Sequence, residues 1–361
     1  MKDGSLAAFH DFSPPQENFR DAVLTGLAGT RKAIPSKFLY DTEGSRLFES
    51  IPTLDEYYQT RTEIALLRTH SAEIAALCGP ACYLVEYGSG SCEKIRILLD
   101  VVEDPCAYVP IDISADPLRA AAERLARDYP HVPVHAICAD FMRKFDLPEV
   151  AGREQGRRIG FFLGATIGNF TLEEAEEFLS QAQRMLTDGG LLIGVDLKKD
   201  TAVLEAAYND SRGVSSTFNL NLLSRINREL GADIDVSAFC HSAVYDPEKG
   251  RMEIGIKCLR DQTLRVLGHE FRLRGGEIIY TQHAYKFTVD EFQDLAAKGG
   301  FTADRIWVDN HGLYGLFFLK AHEAVTAPHV PRQQAARRAG HLGCIIQVAV
   351  QQTFPAILHR T

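Results

Sequence analysis

Short apolar runs alternate, through the middle of the chain, with segments whose apolar residues recur at helical spacing. The run CYLVEY (82–87) ends in Gly-Ser-Gly, and the spacing predicts helices over 94–102, 117–129 and 171–186. The intervening apolar runs are interpreted as strands, at 107–114, 132–140, 158–170 with its Gly-rich end, and 190–197. This alternation predicts an α/β fold whose parallel sheet binds ligands at the carboxyl ends of its strands.

The pattern changes after residue 198. A helical segment, 219–230, is followed by the strand-like segments 250–260 and 264–273. We interpret this region as an inserted subdomain, because it interrupts a regular series of strands and helices. A helix and two strands that close the first sheet follow it, over 290–309 and 314–321.

Composition and charge narrow the classes of partner. The 361 residues are 45% hydrophobic, and the net charge of −9 without a basic run before the tail disfavours nucleic acid. Eight cysteines form no CxxC pair, so no metal site is expected. The chain shows neither a secretory signal nor an apolar run of membrane-spanning length. We expect a cytoplasmic monomer that acts on a small molecule without membrane partners, and a poorly ordered tail over 323–361.

The turn after the first strand lies in VEYGSGSCEK (85–94). A dinucleotide-binding turn requires a third glycine, which is absent after Gly88 and Gly90. An acidic residue, Glu86, stands two positions before the turn. Acidic-x-Gly-x-Gly after the first strand is instead typical of class I methyltransferases that use S-adenosylmethionine (SAM), a cofactor without phosphate. We therefore predict that Glu86 and the turn Gly88-Ser89-Gly90 bind SAM.

Acidic residues also end the next two strands. Asp112 is expected to accept hydrogen bonds from the ribose hydroxyls of SAM, and Asp140 from the adenine amino group, with Phe141 lining the base. Each acidic residue alone is explained equally well by helix capping or solubility. Three in register at consecutive strand ends favour the nucleotide site.

Five long segments of the chain match one family of enzymes. They are KFLYDTEGSRLFESIPTLDEYYQTRTE (37–63), VEYGSGSCEKIRILLD (85–100), FFLGATIGNF (161–170), GVDLKKD (194–200) and AYNDSRGVSSTFNLNLLSRINREL (207–230). Through them the chain resembles the histidine Nα-methyltransferases of ergothioneine biosynthesis, which convert histidine to its trimethylated betaine, hercynine. The resemblance implies a class I (Rossmann-like) SAM methyltransferase sheet with an inserted α+β substrate-binding subdomain. The two parts would be a substrate-binding subdomain over 12–60 and 199–285, and a SAM-binding domain over 61–198 and 286–322.

The resemblance also implies roles for individual residues. Tyr57, Asn169 and Tyr208 would surround the backbone of the amino acid substrate, with Asn169 and Tyr208 holding its carboxylate. Tyr40 would lie near the amine as the catalytic residue. Two further residues would line the cofactor pocket, Lys94 and Gly164. Amide and phenol donors suit a buried carboxylate, and aromatic faces suit an amine that becomes a quaternary cation.

The segment EIIYTQHAYKF (277–287) departs from the family pattern. Relatives that act on histidine carry an acidic residue here and a serine two positions later, both of which contact the imidazole. This chain has Gln282 and Ala284 at those positions, with His283 between them. Either Gln282 accepts the imidazole N–H through its amide oxygen, or the pocket is tuned for another side chain. A changed or broadened substrate is slightly favoured, with histidine the best single candidate and an aromatic amino acid the next.

The predicted reaction is methyl transfer to the α-amino group of a free amino acid. Such a displacement depends on proximity and orientation rather than on a strong acid. The alternative from another class is a SAM-binding sensor or partner-dependent subunit without catalysis. Retention of Tyr57, Asn169 and Tyr208 favours the enzyme, because a sensor has no need for a substrate carboxylate site.

Overall fold

Eight strands form the central sheet of the computed structural model, which describes residues 5–12, 18–90, 92–143, 145–148 and 156–322. In pairing order they are β1 (Ala8–Asp11), β4 (His135–Cys138), β3 (Ala107–Asp112), β2 (Tyr83–Tyr87), β5 (Arg158–Phe162), β6 (Gly190–Asp196), β13 (Tyr314–Ala321) and β12 (Phe301–Val308). The strands from β1 to β6 run parallel, and β13 pairs antiparallel with both β6 and β12. The predicted α/β fold class is confirmed, including the two closing strands.

Helices cover both faces of this sheet. They and the other helices of the described chain are α1 (Phe19–Ala28), α2 (Thr42–Ser50), α3 (Tyr58–Cys78), α4 (Glu93–Leu99), α5 (Ala115–Asp128), α6 (Leu172–Met185), α7 (Thr201–Tyr208), α8 (Val214–Leu230) and α9 (Val289–Lys298). Along β2, Leu84 packs into one core cluster, whereas Tyr83 and Val85 pack into another. Burial on both faces explains why the central strands read as continuous apolar runs.

A second sheet and a hairpin follow α8. The second sheet pairs three antiparallel strands, β11 (Ile278–Tyr285), β8 (Arg251–Cys258) and β7 (Phe239–Asp246), and the hairpin pairs β9 (Gln262–Val266) with β10 (His269–Leu273). The prediction of one strand over 264–273 is therefore wrong. Leu267 and Gly268 both have positive φ, 51° and 80°, which is typical of a two-residue hairpin turn.

Other boundaries differ from the sequence-based prediction at element ends. Helix α8 begins at Val214 rather than at 219, because its first turns carry polar residues that obscure the apolar spacing. Strand β4 is shorter than the predicted 132–140, and β1 was not predicted. The predicted tail, 323–361, lies outside the described residues. Among the helices described, none has both the length and the apolar character to cross a membrane.

The segments assigned by sequence to substrate binding share a hydrophobic cluster of their own. Residues of α1, α2 and α8 pack there against strands of the second sheet and the hairpin, with Leu27, Leu47, Leu222 and Ile256 among its members. The boundaries of a separate substrate-binding subdomain remain a prediction.

Candidate active site

A cavity of about 250 Å³ lies where the loop after β5 and the end of β6 meet the second sheet. It brings together seven of the residues singled out in the sequence: Tyr40, Tyr57, Gly164, Asn169, Tyr208, Gln282 and Ala284. These residues come from five separate parts of the chain. The fold therefore assembles the five predicted substrate residues around one space, together with Tyr40 and with Gly164 of the predicted cofactor pocket. Their individual roles remain predictions.

Aromatic rings and amides form one wall of this cavity. Tyr40 packs edge-on against Phe48 and Phe218, and burial of its hydroxyl raises its pKa to about 12. Burial likewise raises the pKa of Tyr57. Asn169 ends the short 3-10 helix Thr166–Asn169, and its side chain has no hydrogen-bond partner in the described part of the chain. The hydroxyls of Tyr40 and Tyr57 thus stay protonated at neutral pH, which suits Tyr40 to orienting a substrate rather than to accepting its proton.

A network of buried charged residues lies under the cavity. Asp196, at the end of β6, accepts hydrogen bonds from Tyr58 Oη at 2.7 Å, from Lys199 Nζ at 2.5 Å and from Lys286 Nζ at 2.6 Å. Lys286 also donates to Tyr208 Oη at 2.8 Å. Burial alone would raise the pKa of Asp196, but the two ammonium groups together hold it below its ordinary value. The Asp196 carboxylate is therefore ionised at neutral pH.

The amide of Gln59 is fixed by the same carboxylate. Its Nε2 lies 3.4 Å from Asp196 Oδ2, so the amide oxygen faces away from Asp196. Gln59 is 3% exposed and lines the cavity, yet Oε1 has no hydrogen-bond partner in the described residues. Buried acceptors are nearly always paired. This acceptor is therefore available to a hydrogen-bond donor of a molecule in the cavity.

Strand alternation selects which residues of β11 reach the cavity. Gln282, Ala284 and Lys286 line it, whereas His283 does not and instead packs against Tyr285. The alternation predicted from sequence is thus observed, and His283 is no candidate for a catalytic base. The Gln282 amide has no hydrogen-bond partner in the described residues and is free to contact a ligand.

A second series of hydrogen bonds connects polar residues behind the cavity. Thr281 donates to Asn219 Oδ1 at 2.8 Å, and the Asn219 amide contacts His241 Nδ1 at 3.0 Å and Gly255 O at 2.8 Å. The other ring nitrogen of His241 contacts Tyr208 O at 2.9 Å. Burial lowers the pKa of His241, which keeps the ring neutral. Both ring nitrogens are engaged, so His241 supports the wall rather than a proton transfer.

The glycine turn and the two following strand ends form the predicted cofactor side. Gly88 and Gly90 have φ of 69° and 50°, in the region that favours glycine. Ser89 is buried, and its hydroxyl has no partner among the described residues. Glu86 accepts a hydrogen bond from Tyr108, and burial raises the pKa of Glu86 to about 7.

The predicted ribose and adenine acceptors lie at the ends of their strands as expected. Asp112 accepts from the Gly90 N–H at 3.2 Å and from the Ser114 N–H at 3.0 Å. Asp140 accepts from the Met142 N–H at 3.0 Å. Each carboxylate keeps further lone pairs for ligand hydroxyl or amino groups. Phe141 stands among other rings of the core, with its edge toward Gly88.

Glu63 joins the cofactor side to the cavity. Its buried carboxylate accepts from Lys94 Nζ at 2.5 Å, from the Gly164 N–H at 2.7 Å and from Tyr314 Oη at 2.6 Å. A Cβ at Gly164 would lie 3.1 Å from Lys94 Nζ, so the loop after β5 can approach this lysine because it carries glycine. Glu63 thus holds Lys94 and Gly164 together, beside both the cavity and the predicted cofactor site.

Comparison with known proteins decides the family. A protein-family model described as "Histidine-specific methyltransferase, SAM-dependent" matches residues 19–321 of the chain. The chain belongs to this family. It is 40% identical over 319 residues to a histidine N-alpha-methyltransferase of Mycolicibacterium smegmatis, covering 86% of this chain and 98% of that protein. A protein of the same name from Mycobacterium tuberculosis is 41% identical over 303 residues, covering 82% and 93%.

A more distant relative is the ergothioneine biosynthesis protein 1 of Schizosaccharomyces pombe. It is 29% identical over 282 residues, which cover 75% of this chain and 36% of that protein. Membership of the family confirms the predictions of a methyltransferase and of SAM as its cofactor. The comparisons give no support to the non-catalytic alternative.

The residues on the cofactor side fit SAM. The Ser89 hydroxyl is buried without a partner, and open space surrounds Gly90 where a Cβ would stand. Asp112 and Asp140 offer acceptors for hydroxyl and amino groups. Glu86, the glycine turn, Asp112, Asp140, Phe141, Lys94 and Gly164 would hold the cofactor.

Several residues of this site had no role in the sequence-based prediction, and four of them make central contacts: Gln59, Glu63, Asp196 and Lys286. Three of them lie in segments that carry the family resemblance, and Lys286 lies in the divergent segment 277–287. Lys286 follows Gln282 and Ala284 at the period of a strand, and this signal was available in the sequence. Glu63 and Asp196 had no such signal, since their partners are distant along the chain.

Proposed function

We propose that this protein transfers methyl groups to the α-amino nitrogen of free histidine. The observation that carries the proposal is identity of about 40% over 98% of the length of a histidine N-alpha-methyltransferase. The cavity supports it, since its free hydrogen-bonding groups suit both ends of an amino acid. Asn169 and Tyr208 are assigned to the carboxylate, and the Gln59 amide oxygen to the amine.

SAM, when bound, supplies an electrophilic methyl group on a sulfonium. The protein must present the substrate amine without its proton and with its lone pair aimed at the cofactor side. Lys199 and Lys286 lie near Asp196 under the cavity, and their positive charge disfavours a second cation there. This setting supports loss of the ammonium proton to water, with Tyr40 orienting the amine. The rings of Tyr40, Tyr57 and Phe218 suit a product that has become a fixed cation.

The side-chain end of the cavity is assigned to the imidazole. Gln282, Ala284 and Ile254 line it, and the Gln282 amide can either donate or accept a hydrogen bond. A neutral amide discriminates between side chains less sharply than a carboxylate. We therefore assign histidine as the preferred substrate, with weaker activity on aromatic amino acids.

We also propose that the protein is a monomer and that it is located in the cytoplasm. Seven cysteines in the described residues are free thiols, and all but Cys240 are buried. Such thiols suit a reducing compartment. Size-exclusion chromatography with light scattering tests the oligomeric state.

The function is tested by incubating the purified protein with SAM and histidine. Mass spectrometry should find histidine with one to three added methyl groups, and fragmentation should place all of them on the α-nitrogen. Methylation of a ring nitrogen would contradict the proposal. So would an absence of methylation from protein that binds SAM in calorimetry, because the cofactor site would then be intact.

A further inference from the structure

Lys286 is an almost fully buried cation under the active-site cavity. Its residue is 3% exposed, and its ammonium group donates to Asp196 Oδ2 at 2.6 Å and to Tyr208 Oη at 2.8 Å. Its side chain also lines the cavity. Burial would lower the pKa of Lys286, but Asp196 and Tyr208 raise it, so the group is charged at neutral pH.

Asp196 serves two ammonium groups at once. Lys199 donates to Asp196 Oδ1 at 2.5 Å and also to Tyr58 Oη and Leu197 O. Asp309 acts on Lys199 only from farther away, and its carboxylate caps a backbone turn. Within hydrogen-bond distance, then, one carboxylate balances two cations in the described network. The balance is unfavourable in a buried site unless an anion joins it.

The contact with Lys286 also sets the direction of the Tyr208 hydroxyl. The phenol oxygen accepts the ammonium N–H and stands beside the Gln59 amide, which has Asp196 as its other neighbour. An ammonium has donors only, so the hydrogen of the phenol cannot point toward Lys286. Tyr208 donates to no acceptor in the described residues. Its hydrogen is therefore left for a group in the cavity.

We propose that Lys286, anchored by Asp196, is the positioning residue for recognition of the substrate α-carboxylate. It aims the Tyr208 hydroxyl at the carboxylate and supplies the positive charge that this anion requires. The inference rests on the proposed function, because it assumes a free amino acid in the cavity. Lys199 has no such role, since it contacts Tyr58 and lies outside the cavity lining.

The matched pair Lys286→Met and Lys199→Met tests this assignment. Each variant removes one ammonium from the same carboxylate, but only the first loses the contact with Tyr208. We compare histidine with histidinamide, whose neutral amide replaces the carboxylate, by calorimetric binding and by kcat/KM. Lys286→Met should weaken the binding of histidine roughly 10- to 100-fold, as expected for loss of a hydrogen bond to a charged group. It should weaken the binding of histidinamide less than about threefold. Lys199→Met removes one charge but leaves the contact with Tyr208 in place, so it should change the ratio between the two ligands far less than Lys286→Met does.

A double-mutant cycle with Tyr208→Phe separates positioning from general damage. If Lys286 acts through Tyr208, the loss from the two changes together should be smaller than the product of the single losses. Equal weakening of histidine and histidinamide, or independent effects of the two changes, would overturn the proposal. Wild-type protein that methylates no amino acid would instead refute the proposed function. SAM binding and thermal unfolding of each variant identify any that fail to fold.

Discussion

Replacing Gln282 with glutamate tests how the cavity selects the substrate side chain. Gln282 faces the cavity with Ala284 and Lys286, and its amide has no partner among the described residues. A carboxylate at this position would accept an imidazole N–H in a charge-assisted bond, about twice as strong as a neutral one. A neutral hydrogen bond contributes about 1 kcal/mol net. The gain is therefore about 1 kcal/mol, or roughly fivefold in kcat/KM for histidine.

The cost of burying the new charge is limited by its surroundings. Lys286 follows β11 directly and lines the same cavity as Gln282, and the network on Asp196 carries excess positive charge. A matched control, Gln282→Met, keeps the length of the side chain and removes its polar atoms. It should lower kcat/KM for histidine by about fivefold, since the imidazole N–H would lose its acceptor.

Initial rates with histidine and with phenylalanine measure these effects. S-adenosylhomocysteine release reports both reactions in the same units. Gln282→Glu should raise the rate ratio of histidine to phenylalanine, and Gln282→Met should lower it. If Gln282→Glu left the ratio unchanged, residue 282 would not contact the substrate side chain, and the assignment of that end of the cavity would be wrong.

Two further predictions concern buried charges. Asp196→Asn leaves two buried ammonium groups without their carboxylate and should lower the free energy of unfolding by about 3–5 kcal/mol in urea titration; a loss below about 1 kcal/mol would contradict the network. Burial raises the pKa of Glu86 from an ordinary 4.5 to about 7 in the folded protein. Between pH 4.5 and about 7, Glu86 is therefore protonated in the folded state but ionised in the unfolded state. Wild type should therefore lose about 3 kcal/mol of stability relative to Glu86→Gln as the pH rises through this window. Parallel stability curves for the two proteins would refute the shift.

The parts of the fold that depend on local pattern could be predicted from the sequence. Strand β2 and the glycine turn after it combine a buried apolar run with residues that accept positive φ, and both signals lie within ten residues. The hairpin of β9 and β10 was missed because Leu267, in its turn, is apolar and joins two apolar segments. One glycine at 268 was the only local sign of the turn.

The charge network could not be predicted from sequence for a different reason. Asp196 and Lys286 are 90 residues apart, and Tyr58 is 138 residues from Asp196. Their proximity depends on how β6, β11 and α3 pack, and no periodicity carries that information. Residues quoted for their family resemblance, such as Asp196 in GVDLKKD, could be located in advance but not given a role.

The most direct test of the account is a competition among the twenty proteinogenic amino acids. They are supplied together at equal concentration with limiting SAM, and mass spectrometry identifies each methylated product. The account predicts Nα-methylated histidine as the main product, with smaller amounts from aromatic amino acids. A different amino acid as the main product, or no methylated amino acid at all, would contradict it.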